Sequence, residues 1–313
     1  MNPNLENNLS RRQFVKTSSA FISAAVIAPN LFAQNAAETS PAKKRDIKKA
    51  IMLATVPGGG SVAAKFKMIK DAGIEGVEPM GSMNRDEVLK ARDDAGLKIP
   101  SVCCAPHWAK PLSDPNPSVR AEGLEGLKTA LKDAKAYGAS SVLLVPAVVN
   151  KQVSYDEAYK RSQAEIRKAI PLAEELDVKI AIENVWNNFL LSPLEAARYV
   201  DEFNSPAVGW HFDIGNIIAY GWPEHWIPVL GKRIQKLHVK EYSREKQRNE
   251  GMWKGFQVDY LEGDNNWPAI MKALDEVGYR GWAIAEPAFH PPNVEPAVRL
   301  KQISEKMDKI LEM

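Results

Sequence analysis

Three acids and one imidazole are spaced along the second half of this 313-residue chain in a way that suits a divalent cation. Glu183 stands in "IAIEN", Asp213 in "WHFDIGN", His238 in "KLHVKEY" and Glu286 in "AIAEPAF". A carboxylate placed in an apolar run must pair, protonate or bind a metal. Three carboxylates left together would repel one another, whereas a cation would neutralise and coordinate them all. Oxygen-rich ligation with one nitrogen favours a single Mn²⁺, Mg²⁺ or Co²⁺ ion, and Zn²⁺ also fits.

Such side chains converge only if separate elements carry them to one place. Eight apolar runs recur, at 49–56, 74–80, 98–105, 141–146, 179–185, 208–216, 234–242 and 282–288, and the four ligand candidates fall one each on the last four. Segments with helical spacing lie between them, such as "VAAKFKMIKDAG", "VRAEGLEGLKTALKDAKAYGA" and "WPAIMKALDEVGYRG", several closing on glycine. Continuous rather than alternating apolar strands imply a parallel sheet covered on both faces. Eight strand-helix units predict a single-domain (β/α)8 TIM barrel over residues 41–313, with its active site at the C-terminal strand ends. A doubly wound sheet is the competing architecture. It is disfavoured because "PGGGS" at 57–61 has neither the dinucleotide-binding spacing nor a phosphate-loop lysine, and reads as a flexible loop.

With its "IEN", "HFDIGN", "LHVKE" and "GYRGWAIAEPA" contexts, the sequence resembles the xylose-isomerase-like barrel superfamily, especially its sugar isomerase and 3-epimerase branch. The resemblance runs from about residue 48 to the end and is strongest in "GDNNWPAIMKALDEVGYRGWAIAEP". It implies that Glu183, Asp213, His238 and Glu286 hold one divalent metal and that Glu183 and Glu286 also move protons. A metal beside a sugar carbonyl acidifies the adjacent C–H and stabilises the enediolate, so two carboxylates can isomerise or epimerise the sugar. A lyase or hydratase acting on 3-keto-glycosides by β-elimination would need the same metal and base. A secreted, non-catalytic sugar-binding barrel is the third reading; it has no need for two facing bases.

The match is not complete. Asn216 stands where the family often has histidine, three residues after the strand-six aspartate. Relatives that cut DNA at abasic sites use a trinuclear zinc centre with additional histidines, which a chain of five histidines with "QVDYLEG" in that region does not supply. Further candidates for sugar contact are Glu78, His107, His211, Lys240 and Arg244, each with a packing or loop role as its alternative. Trp108, Trp186 and Trp253 offer aromatic faces to a sugar ring. The charged segment "EYSREKQRNEG" reads as a solvated loop or lid.

The first forty residues stand apart. "SRRQFVK" followed by "TSSAFISAAVIAPNLFA" resembles a twin-arginine signal peptide, with Ser10, Arg11, Arg12, Phe14 and Lys16 in place and Val15 for the commoner leucine. Residues 1–40 are therefore expected to be a cleavable leader and linker, with the Tat export machinery as a partner and the periplasm as destination. Beyond it no apolar run is long enough to span a membrane, so no membrane anchor is expected. A net charge of +2 and no basic stripe argue against nucleic acid as a ligand. The adjacent Cys103 and Cys104 are suited to packing; their number excludes a zinc-thiolate centre. No phosphate-cradling turn is evident, so the expected ligand is an uncharged sugar, keto-sugar or glycoside. The sequence leaves a homo-oligomer open.

Overall fold

A computed structural model of the chain describes residues 45–313, so the segment expected to be a twin-arginine leader lies outside the described residues. Eight parallel strands form the barrel wall: β1 (Ile47–Met52), β2 (Gly76–Glu78), β3 (Ser101–Cys103), β4 (Ser141–Leu144), β5 (Lys179–Glu183), β6 (Val208–Asp213), β7 (Ile234–Val239) and β8 (Gly281–Ala285). Their ladder order is β2-β1-β8-β7-β6-β5-β4-β3. The remaining seam, between β2 and β3, is closed by isolated bridges, Gly76 to Lys98 and Met80 to Cys103. This is a nearly closed (β/α)8 barrel, as the eight-fold alternation predicts.

The helices are α1 (Val62–Asp71), α2 (Arg85–Ala95), α3 (Pro117–Tyr137), α4 (Tyr155–Leu176), α5 (Pro193–Asp201), α6 (Gly215–Ile218), α7 (Pro223–Leu230), α8 (Arg244–Glu250), α9 (Trp267–Glu276) and α10 (Pro296–Glu312). Side chains cap most of them. Asn84 and Asn116 accept from the first turns of α2 and α3, and Ser154 forms a capping box with Glu157 on α4. The charged segment after β7 is not the loop expected but the short helix α8, begun by Ser243, whose hydroxyl accepts from Lys246 N.

The ladders end before the apolar runs do. The runs reach 185, 216, 242 and 288, whereas β5 to β8 end at Glu183, Asp213, Val239 and Ala285. Ile214 and Tyr242 remain buried beyond those ends. They pack the mouth with backbone bonded outside the ladders, Ile214 N to His238 O and Asp264 N to Tyr242 O, and hydrophobicity alone does not distinguish that from strand.

β6 is buried along its whole length, as a strand covered on both faces must be. Phe212 faces outward and stacks on Trp226 of α7, with ring centroids 6.3 Å apart, while His211 and Asp213 face the lumen. Between Trp210 and His211 the register with β7 slips by one residue, so that Asp213 lies opposite His238. Without the slip, Asp213 would sit opposite Leu237. Because side chains alternate between faces, this bulge is what places two lumen-facing ligand candidates side by side. No helix among the described residues is long and apolar enough to cross a membrane.

Candidate metal and active site

The four strand-end residues meet. Glu183, Asp213, His238 and Glu286 each offer one ligand atom, all within 4.8 Å of one another. His238 Nδ1 lies 2.9 Å from Glu183 Oε1 and 3.2 Å from Glu286 Oε2. Asp213 is fully buried; its Oδ1 accepts from Asn216 N at 2.8 Å, leaving Oδ2 without a hydrogen bond. Glu286 Oε2 is likewise a buried oxygen in no well-formed hydrogen bond. Carboxylate oxygens held by ion-pair contacts rather than well-aligned hydrogen bonds, together with an imidazole nitrogen, match the oxygen-rich donor set of a divalent cation, so the residues fit such an ion.

Lys240, two residues beyond His238 on the same side, provides the compensating charge. Its Nζ lies 3.0 Å from Asp213 Oδ2 and 2.6 Å from Glu286 Oε2. Burial would raise Glu286, but Lys240 and His238 hold its pKa far below the usual carboxylate range. Burial pushes Asp213 up to about 7 against the pull of Lys240, and it raises Glu183 despite the bond from His238. Burial also opposes charge on His238, yet Glu78, Glu286 and Glu183 together raise its pKa well above the ordinary value. Each group is thus tuned by the others rather than by solvent.

Neighbouring backbone holds the arrangement. Asn184 accepts from Asp213 N (3.0 Å) and Trp210 Nε1 (3.1 Å) and donates to Asp213 O (2.7 Å), clamping β5 to β6. Asn216 donates to Asn184 O at 3.0 Å and receives a 3.5 Å contact from Lys240 Nζ. Gly215 is required by close approach: a Cβ there would lie 2.7 Å from the Lys240 carbonyl oxygen.

Above the carboxylates opens a cavity of about 420 Å³, lined by Glu183, Asn216, Lys240 and Glu286 at its floor and by Trp108, Trp186, Trp253 and Phe256 on its walls. A larger cavity of about 620 Å³, lined by Lys48, Lys98, Ser140 and Trp282 among others, lies at the opposite strand ends and holds no acid-imidazole cluster.

Several residues read from sequence as sugar contacts are placed elsewhere. Glu78 is fully buried beneath the site, with Oε2 2.9 Å from His238 Nε2. His211 is also fully buried, edge-on to His238 at 4.2 Å, with neither nitrogen hydrogen-bonded. His107 points its Nδ1 at Val145 N (3.1 Å) and does not line the cavity. Arg244 is a loop strut, donating to Ile218 O (2.8 Å) and Gly221 O (2.7 Å). Asn184 and Phe256 were missed, although Asn184 adjoins a singled-out glutamate and Phe256 follows a singled-out tryptophan by three residues. Cys103 and Cys104 are both buried and free.

A His/Glu₂/Asp cluster at the C-terminal mouth of a (β/α)8 barrel, with Glu78 and His211 grouped behind the same His238, defines a class of barrel rather than one activity. The chain belongs to the xylose isomerase-like TIM barrel family, which matches residues 66–310. It is 25% identical over 241 residues to an L-ribulose-5-phosphate 3-epimerase, UlaE, of Escherichia coli O1:K1 / APEC, spanning 72% of this chain and 82% of that protein. Among solved structures, the 3-keto-D-glucoside 4-epimerase YcjR from E. coli superposes with a TM-score of 0.69 at 16% identity, covering 84% of this chain and 98% of YcjR. The IOLI protein, solved with a bound zinc atom, gives a TM-score of 0.69 at 18% identity, covering 85% of this chain and 98% of IOLI.

Proposed function

We propose that this protein is a divalent-metal-dependent sugar epimerase or isomerase, exported by the Tat route and working in the periplasm. The observation that carries the reading is the placement of Glu183 and Glu286, both lining the cavity, with His238 Nδ1 within 3.2 Å of each. Two sugar epimerases among its relatives, UlaE and YcjR, support the class. The zinc bound by IOLI supports a metal.

A cation held by Glu183, Asp213, His238 and Glu286 would supply Lewis acidity toward a sugar carbonyl and its neighbouring hydroxyl. The protein's own part is proton transfer. One of Glu183 and Glu286 takes the proton from the carbon next to the carbonyl; the C–H electron pair becomes a C=C bond to the carbonyl carbon while the C=O π pair moves onto the carbonyl oxygen, giving the enediolate. The other carboxylic acid returns a proton, to the opposite face for epimerisation or to the former carbonyl carbon for isomerisation. Lys240 keeps positive charge beside the oxygens during the exchange, and the aromatic wall offers the sugar an apolar face to lie on.

β-Elimination from a 3-keto-glycoside shares the first step, and the aromatic cavity favours keeping it as a second reading. The test is metal analysis of wild type and His238→Ala, followed by sugar turnover in D₂O. About one ion per chain, lost in the variant, with solvent deuterium entering a sugar carbon, is expected. Glu183→Gln and Glu286→Gln should each lower that exchange by roughly 10²–10⁴-fold. Release of an aglycone would indicate the lyase; absence of both metal and exchange would overturn the proposal.

A further inference from the structure

The cavity wall is built more like a carbohydrate platform than a phosphate site. Trp186 is held by donation of its indole N–H to Asn216 O at 2.9 Å. Its ring packs at 4.7 Å from both Trp253 and Phe256 and at 5.6 Å from Tyr242. Behind it Tyr242 and Phe256 are buried with Ile218 in a small apolar cluster, separate from the main core. Upon this fixed base Trp253 is left 69% exposed; Trp108, carried separately from the β3 end, is 51% exposed. Both line the same cavity as the two glutamates. Large aromatic faces left in water beside a site, on a rigid support, are what a ligand with apolar C–H faces would cover.

The charges point the same way. Among the described residues lining the cavity, Lys240 is the one cation, and Asp213 and Glu286 already engage it. Lys254 lies outside the lining, with its Nζ on Gln257 Oε1 at 3.4 Å. The nearby backbone N–H of Asn216 is taken by Asp213. A phosphate needs a free guanidinium, ammonium or row of N–H donors. Here it would meet two carboxylates instead.

We infer that the substrate is an uncharged, carbonyl-bearing saccharide of at least two rings: the reacting sugar lies over Glu183 and Glu286, and the second ring lies against the Trp253–Trp186 pair and Trp108, which line the same cavity. This rests on the proposed function and adds its substrate class. The volume of about 420 Å³ suits it, falling in the range that encloses ligands larger than a single small sugar.

The experiment is calorimetric titration of the Mn²⁺-loaded protein with D-glucose, D-fructose, their 6-phosphates, and the reducing disaccharides cellobiose and maltose. At least one disaccharide should bind about tenfold tighter than its component sugars. That advantage should vanish in Trp253→Ala and in Trp108→Ala, whose rings are more than half exposed. The 6-phosphates should bind no tighter than the free sugars. Tighter binding of a 6-phosphate, no disaccharide advantage, or an advantage unchanged in both variants would overturn the inference. Mn²⁺ binding, read in a separate titration of the metal-free protein, separates these outcomes from failure of the metal site itself.

Discussion

Glu78 Oε2 stands 2.9 Å from His238 Nε2, and both side chains are buried at the top of the lumen. The other ring nitrogen faces Glu183 and Glu286, so this contact leaves Nδ1 as the one free to serve a cation. A carboxylate that accepts the distal N–H of a metal-binding histidine fixes its tautomer and strengthens it as a donor. Glu78→Gln should keep the fold and weaken Mn²⁺ binding by roughly 10–100-fold, measured by calorimetry. Unchanged affinity would assign Glu78 to packing alone.

Lys240 plays a double part, since it neutralises the same oxygens that a metal would use. Removing it leaves buried carboxylates without their partner, a loss of about 3–5 kcal/mol in comparable sites. Lys240→Met should therefore melt at a lower temperature than wild type when metal-free. Added Mn²⁺ should raise its melting temperature more than that of wild type, because the ion no longer competes with the ammonium. Equal metal-induced shifts in the two proteins, followed by differential scanning fluorimetry, would show that Lys240 does not compete.

His107 gives a pH test independent of the site. Burial lowers its pKa from 6.5 to about 4, and its Nδ1 accepts the Val145 N–H. Between those values the unfolded chain binds more protons than the folded one, so the stability present above pH 6.5 drains away as pH falls toward 4. The full loss is on the order of 3 kcal/mol. His107→Asn, whose side-chain oxygen can take the same N–H, should show a shallower decline between pH 7 and 4.5 in urea unfolding. Parallel declines would place the titrating group elsewhere.

The parts of the site that depend on strand periodicity were readable from the chain. Glu183, Asp213, His238 and Glu286 sit on four successive apolar runs, and parallel strands in a barrel send their C-terminal ends to one mouth. What depends on pairing across the barrel was not readable. Glu78 and His238 are 160 residues apart, and nothing local announces that their side chains meet. The roles of Asn184 and Lys240 likewise depend on neighbours that only the closed barrel supplies, and the β6–β7 register slip leaves no mark in composition. Arg244 misled because a cation beside a site looks the same in sequence whether it faces a ligand or two backbone carbonyls.

The seam between β2 and β3 has a further consequence. It is held by four backbone bonds: Val77 N to Lys98 O, Lys98 N to Glu75 O, Cys103 N to Pro79 O and Gly81 N to Cys103 O. Every other strand boundary is a ladder, broken in register only at the β6–β7 slip, so this is where the wall parts at least cost, and its amides should be the first of the barrel strands to exchange with deuterated solvent. Glu78 is carried on that very edge. Parting of the seam would draw the carboxylate away from His238 and loosen the metal's imidazole donor, making the grip on the ion a readout of how tightly the barrel is zipped.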